Sequence, residues 1–363
     1  MDRRELLQTA LAGLSAQVSS KADASRLAIP GLYRGRVVAV SHPASIVSGR
    51  YQAGPVKEMM RRGMAGLTGA GGWADAWKQF VSPGDVVGIK VNPVGRPHVI
   101  SAPEVLHEIV DGLRAAGIRP KDIVVYDRYR QEFLEGGFQK WLPEGVRWTA
   151  ASNDGDGPLQ QKIEGYDPDH YMDMALTLPG QDVSKLAARR SYAALFITRE
   201  VNKLINLCVL KDHQSAGVTL ALKNLSHGLV NNVSRSHSTK TLNACGAFIP
   251  AVVSLPVIRN KTVLNILDGI KGVYDGGPFA RPQFVWEHRT MYFATDPVAL
   301  DVIGWEAIDA KRASVGLKPL LEAPPTGFST FVRRQPEHVE IAGALGLGEF
   351  DRKKIDLRKI SLG

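Results

Sequence analysis

Short apolar runs alternate with stretches of helical periodicity along most of the chain. Residues 37–40 form an apolar run that ends at Ser41-His42-Pro43, and 86–92 form a longer one after the Gly84-Asp85 turn; both read as strands. Over 103–116, Val105, Ile109, Val110 and Leu113 recur on one helical face, with Pro103 in the first turn, Ser101 nearby to cap and Gly117 to close. Residues 123–126 (IVVY) are the next strand. A strand–helix–strand unit of this kind needs a crossover connection, which joins parallel strands. The same reading places helices at 74–81, 216–225, 244–255, 297–313 and 336–345, and strands at 204–210, 262–267, 291–294 and 355–360. The pattern predicts an α/β fold: parallel or mixed sheets with flanking helices, in two lobes around a cleft. Its segments are a leader and linker (1–35), an N-terminal lobe (36–150), an irregular insertion rich in Asp (151–190) and a C-terminal lobe (191–363). No internal repeat interrupts this order.

Composition narrows the function classes. At 44% hydrophobic residues the chain is an ordinary globular one, and its net charge of +9 favours anionic partners. Zinc-finger spacing and RNA-binding patterns are absent, so no nucleic-acid partner is expected. Cys208 and Cys245 are the only cysteines, too few for a four-thiolate iron–sulfur cluster, and they read as buried free thiols. Arg3-Arg4 before a weakly apolar, Ala/Gly-rich run resembles a twin-arginine leader, which predicts export to the periplasm; a short amphipathic helix on a cytoplasmic protein is the alternative. Apart from that leader, no apolar run approaches the roughly 18 residues a membrane span needs.

The candidate chemistry concentrates in 211–237, KDHQSAGVTLALKNLSHGLVNNVSRSH. Lys211-Asp212-His213 follows a strand, where α/β proteins place their ligands. The free amides of the helix opening after Gly217, the Thr219 hydroxyl and the Lys223 ammonium one turn on could together hold an anion. His213 suits proton transfer or metal ligation. Other strand ends add Asn92, Arg96, Asp127, Asp268 and Asp296, the last also a natural helix cap.

Several segments together resemble the domain-of-unknown-function 362 family: IKVNP (89–93), APEVL (102–106), IVVYDR (123–128), LKDHQSAGVTLALKNLSHG (210–228), LNILDGIKGVYDGGP (264–278), ATDPVALD (294–301) and ALGLGEFD (344–351). The resemblance implies an α/β fold and little chemistry; some relatives carry ferredoxin-type cysteine clusters, which this chain lacks. A more distant resemblance is to the nickel-pincer lactate racemases. Arg96-Pro97 is similar to their Arg-Pro pair, and His213, Ala216-Gly217 and Lys223 to their His…Gly…Lys segment, with His237 near the place of a nickel-binding histidine. Where those enzymes carry a second catalytic histidine, this chain has Tyr126-Asp127-Arg128.

The expected site therefore has His213, Lys211 and Asp127 as catalytic groups. Asn92, Arg96, Thr219, Lys223 and Asn224 would hold an anionic small molecule or cofactor. His213, His227, Asp268 and Asp296 would bind a divalent metal. The corresponding activity is that of a metal- or cofactor-dependent enzyme of isomerase or oxidoreductase type; a non-catalytic exported binding or scaffold protein is the alternative.

Overall fold

A computed structural model describes residues 26–325 and 331–363. The twin-arginine reading rests on residues that lie outside these. The strands are β1 (Arg36–Ser41), β2 (Val87–Lys90), β3 (Ile123–Tyr129), β4 (Arg147–Ser152), β5 (Tyr166–Asp173), β6 (Arg190–Ala194), β7 (Lys203–His213), β8 (Thr262–Val273), β9 (Val285–Ala294) and β10 (Asp356–Ser361). The helices that matter here are α1 (Ala53–Thr68), α2 (Trp73–Lys78), α3 (Pro103–Ala115), α4 (Leu220–Leu229), α5 (Cys245–Val253), α6 (Pro297–Ser314) and α7 (His338–Ala344).

One nine-stranded sheet runs β10-β1-β9-β8-β7-β2-β3-β4, with the two-residue strand Gly217–Val218 folded back on the end of β7. Its pairings are parallel except at β9, which runs against both its neighbours, and at Gly217–Val218, which runs against β7. The segments expected to form two lobes share this one sheet: β1 sits between β10 and β9, and β2 beside β7.

Both sheet faces are buried, and successive side chains of each strand divide between them. Val38, Val40, Ile123, Val125, Ile205 and Leu207 face the layer of α1, α2 and α3, whereas Val37, Ala39, Val124, Tyr126, Leu204, Cys208 and Leu210 face α4 to α7. Sequence periodicity locates most elements to within a few residues. It does not locate α1, whose buried Val56, Met59, Met60, Met64 and Leu67 form a helical stripe interrupted in sequence by Gly54, Pro55, Gly63 and Gly66. Gly63 is required there, because a Cβ would stand 2.1 Å from the Phe293 ring.

The insertion 151–190 is more ordered than its composition suggests. β5 pairs antiparallel with β6, from Tyr166 opposite Ala194 to Asp173 opposite Arg190. Arg128 holds Asp156 at 2.9 Å. Asn232 donates to the carbonyls of Ala187, Ala188 and Arg190, and Arg235 to those of Met174 and Leu176. The polar residues between His227 and His237 thus dock the insertion through its backbone.

Candidate functional site

The strand ends of β2, β3 and β7 carry a buried polar network. Lys90 Nζ lies 2.6 Å from Asp127 Oδ1 and 3.3 Å from Asn224 Oδ1. Asn92 Nδ2 donates to the same Asn224 oxygen at 3.0 Å, and Asn92 Oδ1 accepts from Lys211 Nζ at 2.8 Å. Asn224 continues the chain to Asn206 at 2.7 Å, and Asn206 to Asn265 at 2.9 Å. Lys211 also donates to the Val94 carbonyl. Burial pulls the Lys211 amine down to about 7, the Lys223 charge adding to the effect. Asn92, Asp127, Lys211 and Asn224 are therefore brought together as expected, but each already has partners inside the protein. Lys90, the charged residue inside an otherwise apolar strand, completes them. Gly228 lets α4 approach it, since a Cβ there would lie 2.1 Å from Lys90 Cε.

A second cluster lies on the α4–α5 side. His227, His237 and Cys245 each offer one donor atom, all within 4.8 Å of one another. The Ser236 hydroxyl bridges His227 Nε2 at 3.0 Å and His237 Nδ1 at 2.7 Å, and Ser226 Oγ is 3.0 Å from His227 Nδ1. The His213 ring stands 5.4 Å from that of His237. Ser215 Oγ links the two sides, 3.0 Å from His213 Nδ1 and 3.6 Å from Cys245 Sγ. A zinc ion with bonds of about 2.0–2.3 Å sets tetrahedral ligand separations of about 3.5 Å, so closing this triad on an ion needs only small side-chain movements.

Hydrogen bonding fixes the tautomer of His213. Its Nδ1 accepts from the backbone amides of Ser215 at 3.1 Å and Ala216 at 3.2 Å. An amide can only donate, so Nδ1 carries no proton and the neutral ring carries it on Nε2. Neither nitrogen of that ring then offers a free lone pair. His213, expected both as catalytic group and as metal ligand, is placed here as an Nε2–H donor beside the triad.

Lys223 provides a positive charge beside this cluster. The residue is 8% exposed, and its ammonium forms no hydrogen bond or ion pair among the described residues. Burial pulls it down to about 8, opposed by Cys245. Burial, then the Lys223 charge, holds His213 and His227 well below the usual imidazole range and His237 at about 3. The imidazoles are thus neutral at pH 7, the form that binds metal. Burial pushes the Cys245 thiol up, and Lys223 works against that.

Other expected site residues are held elsewhere. The amides opening α4 are not free for a ligand: Ala221 N and Leu222 N donate to the Asp301 carboxylate at 2.7 and 3.0 Å. The Thr219 hydroxyl is buried without a partner among the described residues. Arg96 pairs with Glu135 at 2.5 Å and Glu132 at 3.6 Å. Asp268 accepts from Tyr51 and from the Ala102 amide before α3, and Asp296 accepts from four backbone amides, those of Gly35, Val298, Ala299 and Glu349. The lone pairs expected to bind metal at Asp268 and Asp296 are therefore engaged by the fold. His237, which the racemase resemblance put near a nickel ligand, lies in this cluster, whereas Cys245 joins it only through tertiary structure. The surface cavities of about 600 Å³ beside Trp305 and about 360 Å³ beside Tyr292 include none of the clustered residues.

Asp212, next to His213, belongs to a separate buried network. It accepts from Gly277 N at 2.8 Å and lies 3.8 Å from Arg334, which pairs with Asp275 at 2.8 Å. Burial pushes Asp212 up to about 7, with Arg334 opposing and Asp275 reinforcing. The folded state thus binds this proton more tightly than the unfolded chain. The Asp212 contribution to stability is present at about pH 4 and is lost as pH rises toward about 7. Asp212→Asn keeps the acceptor for Gly277 and removes the titration. The variant should melt near wild type at about pH 4 and several degrees above it at about pH 8. A melting difference that does not change with pH would assign the titration to another group.

A family model described as a domain of unknown function (DUF362) matches residues 87–306. No curated protein matches the chain. Among solved structures, a Thermotoga maritima protein from the Northeast Structural Genomics Consortium aligns with 63% of this chain at 11% identity and a TM-score of 0.32. The chain spans about half of that protein, 52% of its length, and so weak a likeness carries no argument. The comparisons do not show the lactate racemase likeness. The matched region takes in the buried polar network, the histidine–cysteine cluster and most of the sheet, and by that match the chain belongs to the domain-of-unknown-function 362 family.

Proposed function

We propose that the protein binds a divalent transition metal through His227, His237 and Cys245 and presents its open coordination position to a small molecule. The observation that carries this reading is the convergence of two imidazoles and a thiol within 4.8 Å of one another. Two nitrogens and one sulfur suit zinc and its neighbours in the first transition row, and three protein ligands leave room for an exogenous one. The serines around the rings fit the hydrogen-bonded outer shell such centres use. A metal there would polarise its bound ligand as a Lewis acid, and the His213 ring, 5.4 Å from that of His237, would supply an N–H beside it.

Cobalt(II) titration of the purified full chain, with metal analysis of the protein as isolated, tests this. One equivalent should bind and give a thiolate-to-cobalt charge-transfer band. Cys245→Ser should abolish the band, and His237→Ala should weaken metal binding by about a hundredfold or more. His213→Asn should leave metal affinity nearly unchanged, because Asn Oδ1 can replace Nδ1 as acceptor for the Ser215 and Ala216 amides. If no metal binds, or if Cys245→Ser binds it as tightly, the reading is wrong.

A further inference from the structure

The pocket holds more positive charge than it can balance. Lys223 is buried and has no ion-pair partner among the described residues, and a buried ammonium left unpaired is costly. Among the described residues, Cys245 is the acidic group that acts on Lys223, and burial disfavours its thiolate until a metal engages it. A divalent ion on one thiolate and two neutral imidazoles, beside an ammonium, leaves the pocket net positive, so the exogenous ligand must carry negative charge.

The available donors restrict which anion. Lys223 Nζ and His213 Nε2 can both donate and neither can accept. Phosphate groups are usually held by guanidinium forks or helix N-terminal amides, and both devices are already occupied here. Arg128 is engaged by Asp156 and the His227 carbonyl. Arg235 is engaged by Met174, Leu176 and Ser191. The amides of α4 hold Asp301. What remains is one ammonium, one imidazole N–H and a metal position, in a pocket nearly closed to solvent, with Lys223 8% and His213 3% exposed. That donor set matches a small planar monoanion with two oxygens.

We propose that the open position of the metal centre takes a small carboxylate, with one oxygen on the metal and the carboxylate held by Lys223 Nζ and His213 Nε2–H. This rests on the metal reading above. The Ser236 hydroxyl, which now bridges His227 and His237, would move to the second shell on loading. The ligand is bound intact, and no bond is made or broken in it.

The test uses the cobalt(II)-loaded full chain, with acetate and inorganic phosphate as probes and the cobalt d–d spectrum as the signal. Acetate should shift the spectrum saturably, and phosphate should bind at least about tenfold more weakly. Lys223→Met should weaken acetate by about tenfold or more while cobalt affinity and the thiolate band persist, and it should melt no lower than wild type because it removes an unpaired buried charge. His213→Asn should weaken acetate by a similar factor with the same cobalt affinity. Acetate binding unchanged in both variants, or phosphate binding at least as tightly as acetate, overturns the carboxylate proposal and leaves the metal centre standing. Absence of the cobalt–thiolate band in the wild-type chain removes the metal reading, and this proposal with it.

Discussion

Lys90→Met should destabilise the protein by about 3–5 kcal/mol, the cost of leaving a buried carboxylate without its counter-charge. Lys90 and Asp127 are 2.6 Å apart, with side chains 2% and 6% exposed. The Met side chain reproduces the stem volume, so the loss comes from charge and hydrogen bonding rather than from a cavity. Asp127 would keep only a weak contact to Tyr129 N at 3.3 Å. Asn224 would lose one of the two donors to its carbonyl oxygen. Chemical denaturation at pH 7 reads the effect, and the double variant Lys90→Met/Asp127→Asn should recover more than half of it, because Asn carries no charge to strand. A single-variant loss below about 1 kcal/mol would mean that Asp127 is solvated in a way this geometry does not provide.

The sequence exposes the scaffold better than the site. Strands buried on both faces give continuous apolar runs, and α3 and α6 carry Pro in their first turns, so their places follow from local chemistry. α1 is obscured because its glycines and prolines are weak helix formers that tertiary packing tolerates. β5 is obscured because it is polar and half exposed, and its order comes from pairing with β6, while Asn231, Asn232 and Arg235 hold the backbone that flanks it.

In the site, His213, Lys223 and His227 stand out because they follow one strand within a few residues of each other. Nothing in spacing adds Cys245, which arrives through the turn at Ser234–Ser236 and the start of α5. The opposite error has the same origin. Arg96, Asp268 and Asp296 lie at strand ends and carry the right charge, yet their partners are remote in sequence: Asp268 accepts from Tyr51 across 217 positions. A charged residue at a strand end is evidence of a site only once its intramolecular partners are known.

Asp301→Ala should cost on the order of 3 kcal/mol and disorder the His227–His237–Cys245 triad as well. Asp301 lies fully buried on α6 and receives the amides of Ala221 and Leu222 in the first turn of α4. Without it those donors are stranded in an apolar layer that water does not reach. The carboxylate also supports strained backbone. Leu220 enters α4 with φ at 38°, a left-handed conformation unfavourable for leucine that persists only where its surroundings hold it. Releasing the amides of Ala221 and Leu222 lets Leu220 relax toward right-handed geometry, which rotates or shifts the first turn of α4. Lys223, Asn224 and His227 ride on that helix, so the change reaches both the Lys90 network and the proposed metal ligands. The Asp301→Ala protein should therefore bind cobalt(II) at least about tenfold more weakly although no ligand has been altered. Amide exchange at Ala221 and Leu222 should quicken before global unfolding does. A variant that is destabilised yet keeps full cobalt affinity would show that α4 is positioned by its packing against α5 and β7 and not by the Asp301 cap.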